Sequence, residues 1–452
     1  MSEQPRSFRR FLRLRDLVLF GITIVGQTAP FPVFGIVSSV SKGHMALCYL
    51  IAMCAMVLTA ISYGRMATAY PVAGSAYSYS RRALHPVAGF FAGWTLLLDY
   101  VLIPLMSVIY ISLTLGRLMP QVPYAVWLVL TALVITGANL FGLKITNLAN
   151  FVMTAIMTAA VVWFVAAAVR ALLGGTGAGV LLSAKPFYDP HFFSATAVMA
   201  GTSIAAYSYL GFDGISTLAE DARDPRRDIG RATVLVCLIS AAIFILQAYL
   251  GQLLWPDFTS YPSVDTAFLD LSRLAGGLPL FSAVSFVLLV AGLASAVAGQ
   301  ASASRLLFGM ARDRLLPARI FTYIHPKYST PTYGVLTLGI VSILGGFFFS
   351  FQLAAEAVNF GALIGFMCVN LSVMRHYYMR EGLRGGSGLF GNLLLPLAGF
   401  LVCLYVFVNL SSTARWIGSV WCGVGLVSLV YLTRGFRRDL DTLIPEEVKI
   451  PE

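Results

Sequence analysis

Twelve stretches of the chain run apolar with almost no polar interruption. They cover residues 17–39, 46–64, 87–113, 123–140, 148–169 and 195–212, then 232–254, 278–304, 332–350, 354–374, 391–410 and 416–433. A hydrocarbon core about 30 Å thick takes about 20 apolar residues to cross as a helix. The pattern therefore predicts an all-α integral membrane protein of twelve transmembrane helices, with no room for a separate soluble domain. Residues 1–16 read as an N-terminal tail and 17–374 as a core of ten helices. Residues 375–433 read as a loop with the last two helices, and 434–452 as a C-terminal tail. The first apolar stretch is longer than the apolar region of a signal peptide, and no small-residue cleavage pattern follows it. It is expected to stay in the protein as the first span.

Two spans carry interruptions. The first contains VGQTAPFPVFG, residues 25–35, where Gly26 loosens the helix and Pro30 and Pro32 each lack an N–H. The sixth contains YLGFDGIST, residues 209–217, where Gly211 and Gly214 permit unwinding over 210–215 without a proline. Backbone groups freed inside a membrane are tolerated only against protein or a water-lined cavity. The first and sixth spans are corresponding positions if ten helices form two repeats of five. An odd number of spans per repeat inverts the second repeat in the membrane. Matched interruptions in two inverted halves point to a transporter's midplane site. Half-helix N-termini there offer N–H donors to an anionic group, and half-helix C-termini offer carbonyls to a cation.

Composition agrees with the pattern, since 58% of residues are hydrophobic and only 11% charged, against about 25% in soluble domains. The net charge of +11 then reads as topology. With the N-terminus in the cytoplasm and sides alternating, only Lys42, Arg117, Arg170, Lys185, Arg273 and Arg415 of the 31 Lys and Arg residues fall outside. The rest cluster in cytoplasmic segments, as the positive-inside bias requires, so both termini are expected in the cytoplasm. Nucleic-acid binding would need a basic soluble face, and the pattern leaves none. Cys48, Cys54, Cys237, Cys368, Cys403 and Cys422 all lie in apolar spans without metal-ligand spacing and read as small buried hydrophobes. The five histidines do not pair on one face of a span, and no phosphate-binding glycine loop with lysine is present. Neither a metal centre, a cofactor nor an enzyme activity is implied, and transport would draw on an ion gradient, a proton gradient or exchange.

Asp213, inside the second interruption, is a charged group in hydrocarbon, where ionisable residues are costly and tend to serve function. It is read as a ligand for substrate or proton, against the alternative of a buried structural acid. Asp99, in LLLDYVLIP of the third span, lies some twelve residues into that span and so at roughly mid-bilayer depth. It reads either as a proton relay or as a structural hydrogen-bond partner. Phe31, beside the first interruption, is placed to meet a cationic substrate with its ring face. Tyr100, Tyr110, Tyr207 and Tyr209 are weaker candidates for lining a site. GSAYSYSRR (74–82) and EDARDPRRDIGRA (220–232) read as solvated cytoplasmic loops.

The chain resembles the amino acid–polyamine–organocation superfamily over all its spans. The resemblance is carried by YPVAGSAYSYSRRALHPVAGFFAGW (70–94), YLGFDGISTLAEDARDPRRDIGRA (209–232), SRLLFGMARDRLLP (304–317), HPKYSTP (325–331) and NFGALIGFMCVNLSV (359–373). FGIVSSVSKGH (34–44), LLDYVLIPL (97–105) and LLPLAGFLVCLYVFVNLSSTA (394–414) extend it to the bacterial putrescine importers. The resemblance implies a LeuT-type fold of two inverted five-helix repeats plus two C-terminal helices, with the first and sixth helices broken. It implies a substrate site formed by Gly26, Gln27, Thr28, Ala29, Pro30 and Phe31 with Tyr209, Gly211, Phe212, Asp213 and Gly214. It also places Glu220 on the family's acid just past the sixth span, and Asp213, Asp99 and Glu220 are the candidates for proton coupling.

The chain departs from the resemblance in three places. The first interruption reads Gly26-Gln27-Thr28-Ala29-Pro30 where the superfamily often has Gly-x-Gly. No acid follows through Gly35, where putrescine importers often carry one, and residues 148–169 contain no lysine in place of a sodium ion. The expected function is proton-coupled import of a small organic amine, putrescine or a related polyamine, across the inner membrane by alternating access. The rival on the same fold is an amino acid permease or exchanger, whose α-carboxylate would suit an uncharged first interruption. A non-transporting sensor and a passive channel are the rivals of other classes.

Overall fold

The computed structural model describes residues 12–71, 75–142, 147–219, 221–312, 318–433 and 435. Among these the protein is helical, and strand-type pairing is limited to a single bridge between Leu12 and Ala222. In chain order the helices begin with α1 (Leu14–Val25), α2 (Phe34–Val40), α3 (Met45–Ala69), α4 (Ser75–Ala83), α5 (Pro86–Leu118), α6 (Tyr124–Leu140) and α7 (Asn147–Leu173). There follow α8 (Ala195–Ala205), α9 (Pro225–Leu254), α10 (Ala267–Arg312), the short α11 (Ala318–Phe321), α12 (Thr332–Phe348) and α13 (Phe351–Val373). The chain ends in α14 (Gly386–Leu389), α15 (Leu395–Val408) and α16 (Ser412–Leu432), with single wide turns of π-helix at Met374–Arg380 and Phe390–Leu394. Eight helical segments are long and apolar enough to cross a bilayer, and α6 and α12 are apolar helices one turn shorter. The protein is thus a multi-pass membrane protein.

The ends of these helices follow local rules. Pro86 and Pro225 occupy the first turns of α5 and α9, where a missing N–H costs nothing. Ser194, Ser350 and Ser411 cap α8, α13 and α16 by accepting hydrogen bonds from backbone N–H groups three residues on.

Between helices, close packing and buried hydrogen bonds replace hydrophobic drive, which is weak inside a membrane. Gly64 of α3 and Gly230 of α9 meet backbone to backbone, so that a β-carbon on Gly64 would stand 2.5 Å from the other Cα. The Asn139 amide of α6 donates to Gln300 Oε1 of α10 at 2.8 Å, and Gln300 donates in turn to the Val335 carbonyl of α12. Trp94 of α5 and Trp421 of α16 stack, and each indole N–H donates to the other's backbone carbonyl. Glu356, an acid within α13 that the apolar pattern hides, is 3% exposed and accepts from the Ser411 N–H at 2.8 Å. Its role is to tie α13 to the start of α16.

Both loop readings are corrected here: 220–232, read as solvated, is from Pro225 on the start of α9, with Pro225, Ile229 and Ala232 buried. The stretch read as a solvated loop at 74–82 is, over its described part, the helix α4, with Ala76, Ser78, Tyr79, Ser80 and Ala83 buried. Its small and hydroxyl-bearing residues let it lie close against α5 and α13, as small residues do at membrane helix contacts. The span placed at 278–304 lies within the longer α10, which is interrupted at Gly277 (φ +69°) just ahead of Pro279.

Candidate functional site

The first interruption is where the sequence placed it. The N–H of Gly26 still bonds to Ile22 O, but Gly26 itself turns to φ +76° and α1 stops. Tight turns replace the helical ladder, with Ala29 N donating to Gly26 O and Phe31 N to Thr28 O, until α2 begins at Phe34. The freed carbonyls find side chains. Gln247 of α9 donates to Gln27 O at 3.0 Å, and Ser208 approaches Ala29 O at 3.4 Å. This is the internal satisfaction that hydrocarbon demands.

The second interruption is sharper than the sequence suggests. After α8 the chain tightens to a 3-10 turn at Ala206–Tyr209, Leu210 is extended, and Gly211 takes φ +105°. A 3-10 segment, Phe212–Leu218, follows at once, so Gly214 sits within a helical turn and the change of direction falls on Gly211 alone. Asn359 of α13 donates to the Ser203 carbonyl at 2.6 Å and so holds the end of α8.

The two interruptions touch. A β-carbon on Gly211 would lie 2.6 Å from Ile24 Cγ2, and one on Gly214 would lie 3.4 Å from Ile24 Cδ1. Gly21 of α1 packs in the same way on Ile215. Solvent reaches this region unevenly. Gly26, Gln27, Gly211, Asp213 and Gly214 are partly exposed, whereas Thr28, Pro30, Phe31, Phe212 and everything from Val33 to Ser38 are buried. The partly exposed positions lie mainly on the α1 side of the break and the buried ones mainly on the α2 side.

Asp213 stands just past Gly211 and is partly exposed. Its described side-chain partner is Ser75 of α4, whose hydroxyl lies 3.4 Å from Oδ2. Ser75 holds φ +51°, a left-handed conformation that costs a non-glycine residue energy and that clusters at functional sites. Asp99 of α5 has an Oδ1 that is buried and accepts no hydrogen bond. It lies against Gly361 of α13. Glu220, the third sequence candidate, lies outside the described residues, as do most of both tails.

Phe31, Tyr209 and Phe212 take packed positions, whereas Tyr100 is exposed. Phe31 stacks on Phe268 with ring centroids 3.6 Å apart and meets Phe164 edge-on, in a plug on the buried side. The Tyr209 hydroxyl donates to the Tyr49 carbonyl, and its ring packs on Phe244. Phe212 lies among Tyr63 and Phe366. These three rings brace the interruptions more than they line open space. Ser75, Tyr63, Gln247 and Asn359 are the neighbours that sequence reasoning missed. The available signal was only that each is polar within or beside an apolar run.

Comparison with known proteins places the chain in a family. The amino acid permease family profile matches residues 25–421. The low-affinity putrescine importer PlaP of Escherichia coli K12 is 34% identical over 95% of this chain and 95% of its own length. The branched-chain amino acid permease BcaP of Lactococcus lactis is 27% identical over 96% of this chain and 97% of its own. The methylthioribose transporter of Bacillus subtilis is 26% identical over 95% and 94%. The chain belongs to the amino acid permease family.

Proposed function

We propose that the protein is a secondary active importer of a small organic amine, putrescine or a related diamine, working by alternating access and driven by protons. The observation that carries this reading is Asp213, a partly accessible carboxylate beside the contact between two broken helices. Gly26, Gln27, Thr28, Ala29 and Pro30 on one side and Gly211, Asp213 and Gly214 on the other form the substrate site in this reading. Phe31, Tyr209 and Phe212 form its packed walls. Asp213 holds the amine or the proton, and Asp99 and Glu220 are the other acids available to the coupling proton. The 34% identity to a putrescine importer supports the substrate class.

The reading includes twelve crossings of a bacterial inner membrane. The eight long helices, the two shorter ones and the two interrupted segments supply them. Ten form two inverted repeats of the LeuT type, and both termini face the cytoplasm. Support for the repeat comes from two pairs in corresponding places. The first and sixth segments are the broken ones, and α3 and α9, the second and seventh, pack through Gly64 and Gly230. With the N-terminus inside, the more exposed α1 side of the site faces the cytoplasm, which this reading takes as an inward-facing form.

An amino acid permease is the second reading. Its support is the uncharged first interruption and the similarity to BcaP. Reconstituting the full-length protein in proteoliposomes and screening labelled diamines and amino acids separates the two. An imposed pH gradient, with and without sodium, tests the coupling. The expected result is diamine accumulation that follows the pH gradient and ignores sodium. Accumulation of neutral amino acids alone would replace the first reading with the second, and equilibration without accumulation would make the protein a passive pathway.

A further inference from the structure

Asp99 lies against α13, and Asp213 is linked to the same helix through Ser75 and Ala76 of α4. Asp99 Oδ1 lies 2.9 Å from where a β-carbon of Gly361 would stand. Phe212, the neighbour of Asp213, packs with its ring centroid 5.0 Å from that of Phe366. Gly365, one turn from Gly361 on the same face, would carry a β-carbon 3.6 Å from Ala76 of α4, next to the Ser75 that lies 3.4 Å from Asp213 Oδ2. The two glycines are about 6 Å apart along the helix at about 1.5 Å per residue. The two acids are thus brought to one side of α13 about a helical turn apart, with Tyr100 next to Asp99 in α5. Among the described residues no Lys, Arg or His forms an ion pair with either.

One polar group here also waits for a partner. Asp99 Oδ1 accepts no hydrogen bond. Tyr63 is fully buried and its ring packs on Phe212, which places its phenol in the field of Asp213. Its hydroxyl faces Ser75, whose own hydroxyl lies 3.4 Å from Asp213 Oδ2. A buried polar atom left unpaired in a native protein, as Asp99 Oδ1 is, points to something that binds there.

We infer that Asp99 and Asp213 are the two anionic ends of a dication site, one ammonium of an α,ω-diamine resting on each carboxylate. This rests on the reading of the two interruptions as the substrate site. Two uncompensated carboxylates at membrane depth repel each other and are costly to keep charged. A monoamine neutralises one of them and leaves the other. A zwitterionic amino acid brings a carboxylate of its own to a place that already has two. A diamine compensates both at once. The acid absent after Pro30 in the first span is, on this inference, supplied by α5 instead.

The test is competition against labelled putrescine in proteoliposomes, comparing unlabelled putrescine with n-butylamine, which has the same carbon chain and one ammonium. Removing one partner of a buried charge pair weakens binding by roughly 30-fold or more. Wild-type protein should therefore prefer putrescine by at least that ratio. Asp99→Asn should close the gap, bringing putrescine down to the level of butylamine measured in the same variant. Asp99→Glu should keep most of the preference, and Asp213→Asn should lose both ligands. A wild-type ratio retained in Asp99→Asn overturns this inference and leaves the proposed function standing. Wild-type protein that moves no diamine overturns both. A second measurement needs no variant. Across diamines of two to six carbons, two fixed carboxylates give an optimum length, and a steady rise with chain length contradicts the pair.

Discussion

Gly211 and Gly214 look alike in the sequence and differ in the fold. Gly211 holds φ +105° and has Ile24 Cγ2 2.6 Å from its missing β-carbon, whereas Gly214 has ordinary helical geometry and a nearest contact of 3.4 Å. Gly211→Ala should cost about 1–3 kcal/mol of stability, the scale of backbone strain at such a site. Gly214→Ala should change stability by less than about 1 kcal/mol. Thermal unfolding of the two purified variants in detergent checks this, and equal effects would contradict the assigned break. Asp213 was legible from sequence because a charge in an apolar run stands out by its cost. Which glycine bends was not, since composition carries no dihedral angle. Ser75 was not legible either, because it reaches Asp213 from 138 residues away and only the fold brings them together.

At the scale of elements, α13 carries the contacts that position Asp99. A β-carbon on Gly361 would overlap the Thr95 carbonyl of α5 and crowd Asp99 Oδ1, while one on Gly365 would meet its neighbours at 3.5 Å or more. Gly361→Ala must push α5 away, and overpacking of this kind costs about 1–3 kcal/mol. It should lower both the melting temperature and amine uptake, with Gly365→Ala close to wild type in both assays. Normal uptake by Gly361→Ala would show that α5 need not sit this close. The long apolar spans were legible because length and hydropathy alone decide them. The helix α4 was not, since its serines and arginines read as a loop until packed between α5 and α13. The span start at 278 coincides with the bend at Gly277; the helical turns before it, which carry Asp270 and Arg273, were not legible as part of a helix.

For the whole molecule, the proposed inverted arrangement fixes orientation. Only six of the 31 basic residues are assigned to the outer side. Reporter fusions at both termini should therefore be active only in forms that read the cytoplasm. A reporter of the opposite side at either end would break the alternation on which the pairing of the first and sixth segments depends. This expectation rests on spacing and charge bias in the sequence. The sequence did not carry the uneven exposure at the site, which follows from how α1 and α2 are packed.

The central claim is that the acid at the junction of the two broken helices handles the amine or its proton. Initial rates of putrescine uptake in proteoliposomes, for wild type and Asp213→Asn at matched protein incorporation and with an imposed pH gradient, test it most directly. The account predicts that Asp213→Asn keeps less than about a tenth of the wild-type rate, the loss expected when one partner of a buried charge pair is removed. Near-normal uptake by that variant, still responding to the pH gradient, would contradict it.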